Sequence, residues 1–181
     1  MTAPLRRAPL RSGVALLGAA LWCATALGQA HVHGVAKLDI AVEPTRLSVQ
    51  LESPLENLLG FERAPRTQPE RQQAQAAIDK LRAAASMFVI DPAAQCTLGR
   101  VELTSAALKL GQPDPKAQQE GHADIDGTFE FTCVDATKAT FVDVELFQFK
   151  HLQRLQVQVA TPRGQLKRDL KRPTKRIVLT R

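Results

Sequence analysis

The side chains able to do chemistry in this chain are few. Its four histidines are His31 and His33 in GQAHVHG, His122 in GHADID and His151 in FQFKHLQRL. Side chains two apart in a strand share a face. His31 and His33 can therefore aim at one ion, and so can His122 and Asp124. Imidazole with carboxylate suits zinc, which takes about four ligands. If the strands that open at these two motifs lie together, His31, His33, His122 and Asp124 make a candidate zinc site. The competing reading is four polar residues at solvated strand ends, and His151 reads as a surface residue. Only neutral imidazole coordinates, so affinity at such a site should fall as the pH drops through about 6.5.

What precedes His31 decides what else it can do. Arg6, Arg7 and Arg11 form a basic opening, and Gly13 to Leu27 is apolar apart from Thr25. That run of 15 residues is short of the roughly 20 that a membrane-spanning helix needs. Small residues follow in two frames, Ala24-Thr25-Ala26 and Gly28-Gln29-Ala30. This is the pattern of a secretory signal peptide over residues 1–30. Trp22 before Cys23 argues against a lipoprotein, whose attachment site wants a small residue there. Cleavage after Ala30 or after Gly28 would leave a histidine third from a free amino terminus. An amine, two amide nitrogens and an imidazole can then wrap copper or nickel in a plane, a weaker option than zinc. Cleavage after Ala26 would abolish it. No later stretch is long and apolar enough to span a membrane.

The remaining cysteines, Cys96 and Cys133, have no CxxC partner. An exported domain with two cysteines most often pairs them, closing a loop that stabilises by roughly 3–4 kcal/mol in the chain-entropy model. A thiolate metal site is the rival. The whole chain carries +6, but the charge is uneven. Seven bases lie in residues 167–181 opposed only by Asp169, and residues 31–166 hold 14 bases against 17 acids, a net of −3. The basic tail either binds acidic partners or guards a sheet edge, and the second reading is preferred. With no aromatic platform for bases in the tail, nucleic acid is not expected as a partner. No GxSxG, HExxH, phosphate loop or dinucleotide fingerprint is present, and the chain reads as a non-enzyme.

The elements that must position these groups are mostly strands. Ala36, Leu38, Ile40 and Val42 alternate with polar residues, as do Leu47, Val49 and Leu51 after the turn at Pro44-Thr45-Arg46; this is a hairpin with one apolar face. PLENLLGFERAPRTQ is a structured connection with a helical turn near Glu56 to Leu59. One main helix follows over about residues 68–86. Thr67 and Glu70 form its capping box, and Ala74, Ile78, Leu81 and Ala85 form its buried stripe. CTLGRVELTSAAL, HADIDGTFEFTC, ATFVDVELFQF and RLQVQVAT read as strands, with the Phe141–Phe149 run central. LKRDL and KRIVLT read as two edge strands, and KLGQPDPKAQQEG as a polar loop. Seven to nine strands with one main helix make a mainly β, antiparallel, sandwich-like single domain over residues 31–181.

Several blocks resemble one family. HVHGVAKLDIAVE, LESPLENLLGFERAP, HADIDGTFEFTC and VELFQFKHLQRLQVQVATPRGQ are similar, in order and spacing, to ZrgA-like periplasmic proteins associated with zinc uptake. The resemblance covers nearly the whole chain after residue 30. It implies a periplasmic zinc-binding protein that assists metal uptake or homeostasis, with a periplasmic or inner-membrane transporter component as partner. It puts His31 and His33 at the family's N-terminal histidine motif and His122 at its later HxD element. Many members carry a histidine-rich acidic loop where this chain has KLGQPDPKAQQEG, so binding here must rest on the few fixed histidines. The alternative is a non-catalytic envelope interaction module without bound metal, contacting its partner through SPLENLLGFERAP. Outright secretion is a lesser alternative to the periplasm.

Overall fold

The structure, a computed structural model, describes residues 32–112 and 123–180. The alternation in the first hairpin becomes β1 (Val35–Glu43) and β2 (Arg46–Pro54), paired antiparallel with Glu43 opposite Arg46. Every second residue of β1 is buried, from Ala36 to Val42. A pleated strand can bury only one face when its other face meets water.

β2 runs directly into α1 (Leu55–Leu59), a single turn closed by Gly60 in the left-handed region at φ 78°. Then come α2 (Gln68–Arg82), α3 (Ala84–Met87), β3 (Phe88–Ile90) and β4 (Cys96–Thr104). After the second described stretch begins, β5 (Asp124–Cys133), β6 (Phe141–Val144), β7 (Arg154–Thr161), β8 (Gly164–Lys171) and β9 (Arg176–Val178) complete the chain. Six strands form one sheet in the order β4-β5-β2-β1-β7-β8, and three form another in the order β3-β6-β9. The fold is mainly β and sandwich-like, with α2 as its main helix.

Antiparallel pairing prevails, with one exception. β7 lies parallel to β1, with Val35 opposite Arg154. The two strands therefore start at the same end of the sheet. The Gly34 carbonyl fixes that start, accepting the Gln153 and Arg154 N–H groups at 2.8 and 2.9 Å.

The apolar faces meet in one core. Phe88 of the small sheet packs on Phe129 of the large one, with ring centroids 4.8 Å apart. Leu38, Leu47, Val49 and Leu155 of the large sheet and Val142, Val144 and Ile177 of the small one belong to this same fully buried cluster. Cys96 and Cys133 face each other across β4 and β5 and form a disulfide. Thr67 accepts the Glu70 N–H while the Glu70 carboxylate accepts the Thr67 N–H, so the capping box is present.

Three details differ from expectation. The helix ends at Arg82 rather than 86, because Ser86 captures the Ala83 carbonyl with both its N–H and its hydroxyl, at 2.9 and 2.8 Å. The break at Ala83 turns Ala84 inward, so Ala84 is buried and Ala85 exposed. The Phe141–Phe149 run is a strand only to Val144, the middle strand of the small sheet, before a tight turn at Leu146–Gln148. LKRDL and KRIVLT do form edge strands, β8 and β9, but of different sheets.

Candidate metal centre

Of the expected ligands, His31 and His122 lie outside the described residues. His33 and Asp124 are described. Asp124 opens β5 opposite Pro54. β2 lies between β5 and β1, so Asp124 is two strand spacings, about 10 Å, from the start of β1. The neighbours of His33 are other residues, on elements that converge at the same end of the sheet.

α1 supplies the first. Pro54 precedes it with φ −53°, and Leu55, Leu58 and Leu59 bury its inner side. Asn57 is fully buried with them. Its Oδ1 accepts the Gly34 N–H at 2.7 Å. Its Nδ2 donates to the Val35 carbonyl at 2.8 Å and to Ser53 Oγ at 3.1 Å. A buried amide is stable only when so satisfied, and satisfying it ties α1 to the residues beside His33. Glu56, on the other side of the turn, is left facing the imidazoles.

Glu56 lies between two of them. Its Oε2 is 3.9 Å from His33 Nδ1, and its Oε1 is 3.8 Å from His151 Nδ1. The Oε2 atom is buried and has no hydrogen-bond partner. His33 Nε2 is 3.4 Å from Glu62 Oε1. His33 and His151 are about two-thirds and half exposed, at 66% and 50%, against 22% for Glu56. The donors thus form a chain at the protein surface, His151–Glu56–His33–Glu62.

Each link has a local cause. His151 sits three residues before β7, whose parallel pairing with β1 brings it beside the start of β1. Arg172 holds that turn by donating to the Phe149 and Leu152 carbonyls at 2.9 and 3.0 Å. Gly60 gives the His151 ring its room, since a Cβ there would fall 2.8 Å from Nε2. Arg63 anchors the Glu62 segment to the start of α2 through two bonds to Glu70, at 2.6 and 3.0 Å. With the Arg66 and Thr67 N–H groups adding to it, that pairing pulls the Glu70 carboxyl down to about 2.

In a tetrahedral zinc site with bonds near 2.0–2.1 Å, neighbouring donor atoms lie about 3.3–3.4 Å apart. His33 Nε2 and Glu62 Oε1 match that spacing. The two Nδ1 atoms lie 3.9 and 3.8 Å from Glu56, beyond hydrogen-bond distance, so both contacts would have to shorten before the carboxylate could orient the rings for a metal. The donor chemistry fits zinc. As they stand, however, no three His, Cys, Asp or Glu side chains among the described residues are grouped to hold an ion; His151 would have to swing toward the His33–Glu62 pair.

A family model for zinc uptake proteins of the ZrgA type matches residues 30–179. The chain belongs to the ZrgA family. No curated protein matches it closely enough to add a relative. The family match spans every element of this site, from His33 to His151. Of the residues gathered around His33, the sequence pattern singles out His33 alone; Glu56, Glu62 and the placement of His151 are not apparent from it. The first two lie inside SPLENLLGFERAP, a block already notable by its resemblance. His151 gave no local signal, because a parallel β1–β7 register cannot be read from either strand alone.

Proposed function

We propose that the protein is a non-catalytic zinc-binding component of zinc uptake in the cell envelope. His33 Nε2 and Glu62 are the primary donors, His151 Nε2 joins them, and Glu56 orients both rings. The observation that carries this reading is the single carboxylate of Glu56 facing both Nδ1 atoms, in a family described by zinc uptake. The exposed position of the donors suits a protein that must pass its ion on. His31, two residues from His33, is the natural further donor, and His122 with Asp124 remains the alternative ligand pair. Export by residues 1–30 is supported by the signal-peptide pattern and by the Cys96–Cys133 disulfide, since disulfides persist in oxidising compartments. Among the described residues no helix is long and apolar enough to cross a membrane.

Zinc titration of the purified protein against a chromogenic chelator tests the proposal. One ion should bind and raise the melting temperature. His33→Ala and Glu62→Gln should each abolish or severely weaken binding. Glu56→Gln should weaken it by about 10–100-fold, the usual effect of removing a carboxylate behind a ligating imidazole. Binding should also weaken on acidification, because protons compete with zinc for imidazole nitrogen. Wild-type protein with no zinc-dependent stabilisation would refute the reading and leave an envelope interaction module. Unchanged affinity in His33→Ala and Glu62→Gln, with loss in Asp124→Ala, would move the site to the start of β5.

A further inference from the structure

His33 has a second set of neighbours. A cleft of about 430 Å³ opens there, bounded by His33 and Gly34 on one side and by Arg154, Lys171 and Arg172 on the other. It is open to solvent, and its charged walls are cationic.

The cations are held in an arrangement that favours an anion. Arg154 and Lys171 are directly opposite each other in the β7–β8 register, so their side chains share a face. Like charges placed so repel. Arg154 is paired with Asp169, whose carboxylate is 3.9 Å from Arg154 Nη1. Lys171 has no ion-pair partner among the described residues. Arg172 is already fixed by its bonds to the Phe149 and Leu152 carbonyls, so its charge is set in place at no further cost in side-chain entropy.

We propose that this cleft is a carboxylate-binding subsite adjoining the metal centre. It takes a carboxylate of an external zinc ligand while His33 holds the ion from the other side. The proposal rests on the zinc reading for the role of His33, but the anion site itself stands on the three cations. The carboxylate can come from a small polycarboxylate that carries zinc or from a glutamate or aspartate of a protein that exchanges it. The shared chemistry is a multivalent carboxylate.

The test is calorimetric titration of the purified, zinc-free protein with citrate and, separately, with a blocked hexaglutamate peptide. Lys171→Glu and Arg154→Glu are the variants, checked for folding by their melting temperatures. At least one probe should bind. Its dissociation constant should rise tenfold or more in each variant and should rise with salt, as screening requires. Zinc affinity measured without carboxylate should not fall in either variant, since neither residue is a zinc donor and an added negative charge favours a cation. Tight citrate with weak peptide binding identifies a small carrier, and the reverse identifies a protein partner; either supports the subsite. Failure of both probes to bind, or equal binding by wild type and both variants, overturns it. Carboxylate binding without zinc binding would sink the zinc reading and leave the subsite standing.

Discussion

The Gly34 N–H donates to Asn57 Oδ1 at 2.7 Å, and this bond joins the segment bearing His33 to the helical turn bearing Glu56. Asn57→Ala should therefore act on stability and metal binding together. Each backbone partner left unsatisfied in the buried site costs roughly 1–3 kcal/mol. Urea unfolding of the zinc-free protein measures that loss. Zinc affinity, measured where the variant is still folded, should fall tenfold or more. Unchanged affinity would mean that the two segments are held together by something else.

Gly60 is the second test of placement. Its φ of 78° disfavours a side chain by roughly 1–2 kcal/mol, and a Cβ would lie 2.8 Å from His151 Nε2. Gly60→Ala should lose about that much stability and displace the imidazole from its present position. Nuclear magnetic resonance of the His151 ring reads the displacement directly. In a His151→Ala background the same substitution should have no further effect on zinc affinity.

Acid should loosen the segment that carries Glu62. The Glu70 carboxyl is held at about 2 in the folded protein by Arg63 and by the Arg66 and Thr67 N–H groups. A carboxyl depressed by folding stabilises fully above its unfolded value and loses that contribution as the pH falls toward its folded one. Stability should thus decline from about pH 5 toward about pH 2. Asp91, beside Thr140, and Asp143, beside Arg176, are depressed as well and add to the same decline. Glu70→Gln should be less stable than wild type at pH 7, and the difference should shrink as acid is added. A constant difference between pH 7 and pH 2 in denaturant titrations would contradict this account.

The disulfide supports the large sheet on a strand remote from His33 and its neighbours. Cys96 and Cys133 are 37 positions apart, and opening that loop costs roughly 3–4 kcal/mol in the chain-entropy model. For a domain of this size that is a drop of about 10 °C in melting temperature. The Cys96→Ser, Cys133→Ser double variant should show it while keeping its zinc affinity, because β4 is the edge strand remote from β1 and β7. A loss of zinc binding in the folded variant would show that the two regions are coupled.

The sequence by itself determined the class of the fold and much of its detail. Alternation in β1 and β2 specified which face is buried, since a pleat repeats every two residues. Thr67 and Glu70 specified where α2 begins, and the two cysteines specified their own pairing. These are local or near-local signals, each readable within a few positions or by elimination. His33 was legible for the same reason, as one of a closely spaced pair.

What only the tertiary structure decided is which groups surround His33. His151 is 118 positions further on, and it reaches Glu56 because β7 joins β1 in parallel. Asp124, two residues after a histidine, starts a strand with β2 interposed. Strand order and direction follow from how apolar faces from the whole chain share one core, and no single strand encodes its neighbours. The ends of a sheet collect side chains according to that order, so the donors of a site built there become visible only after the sheet is assembled.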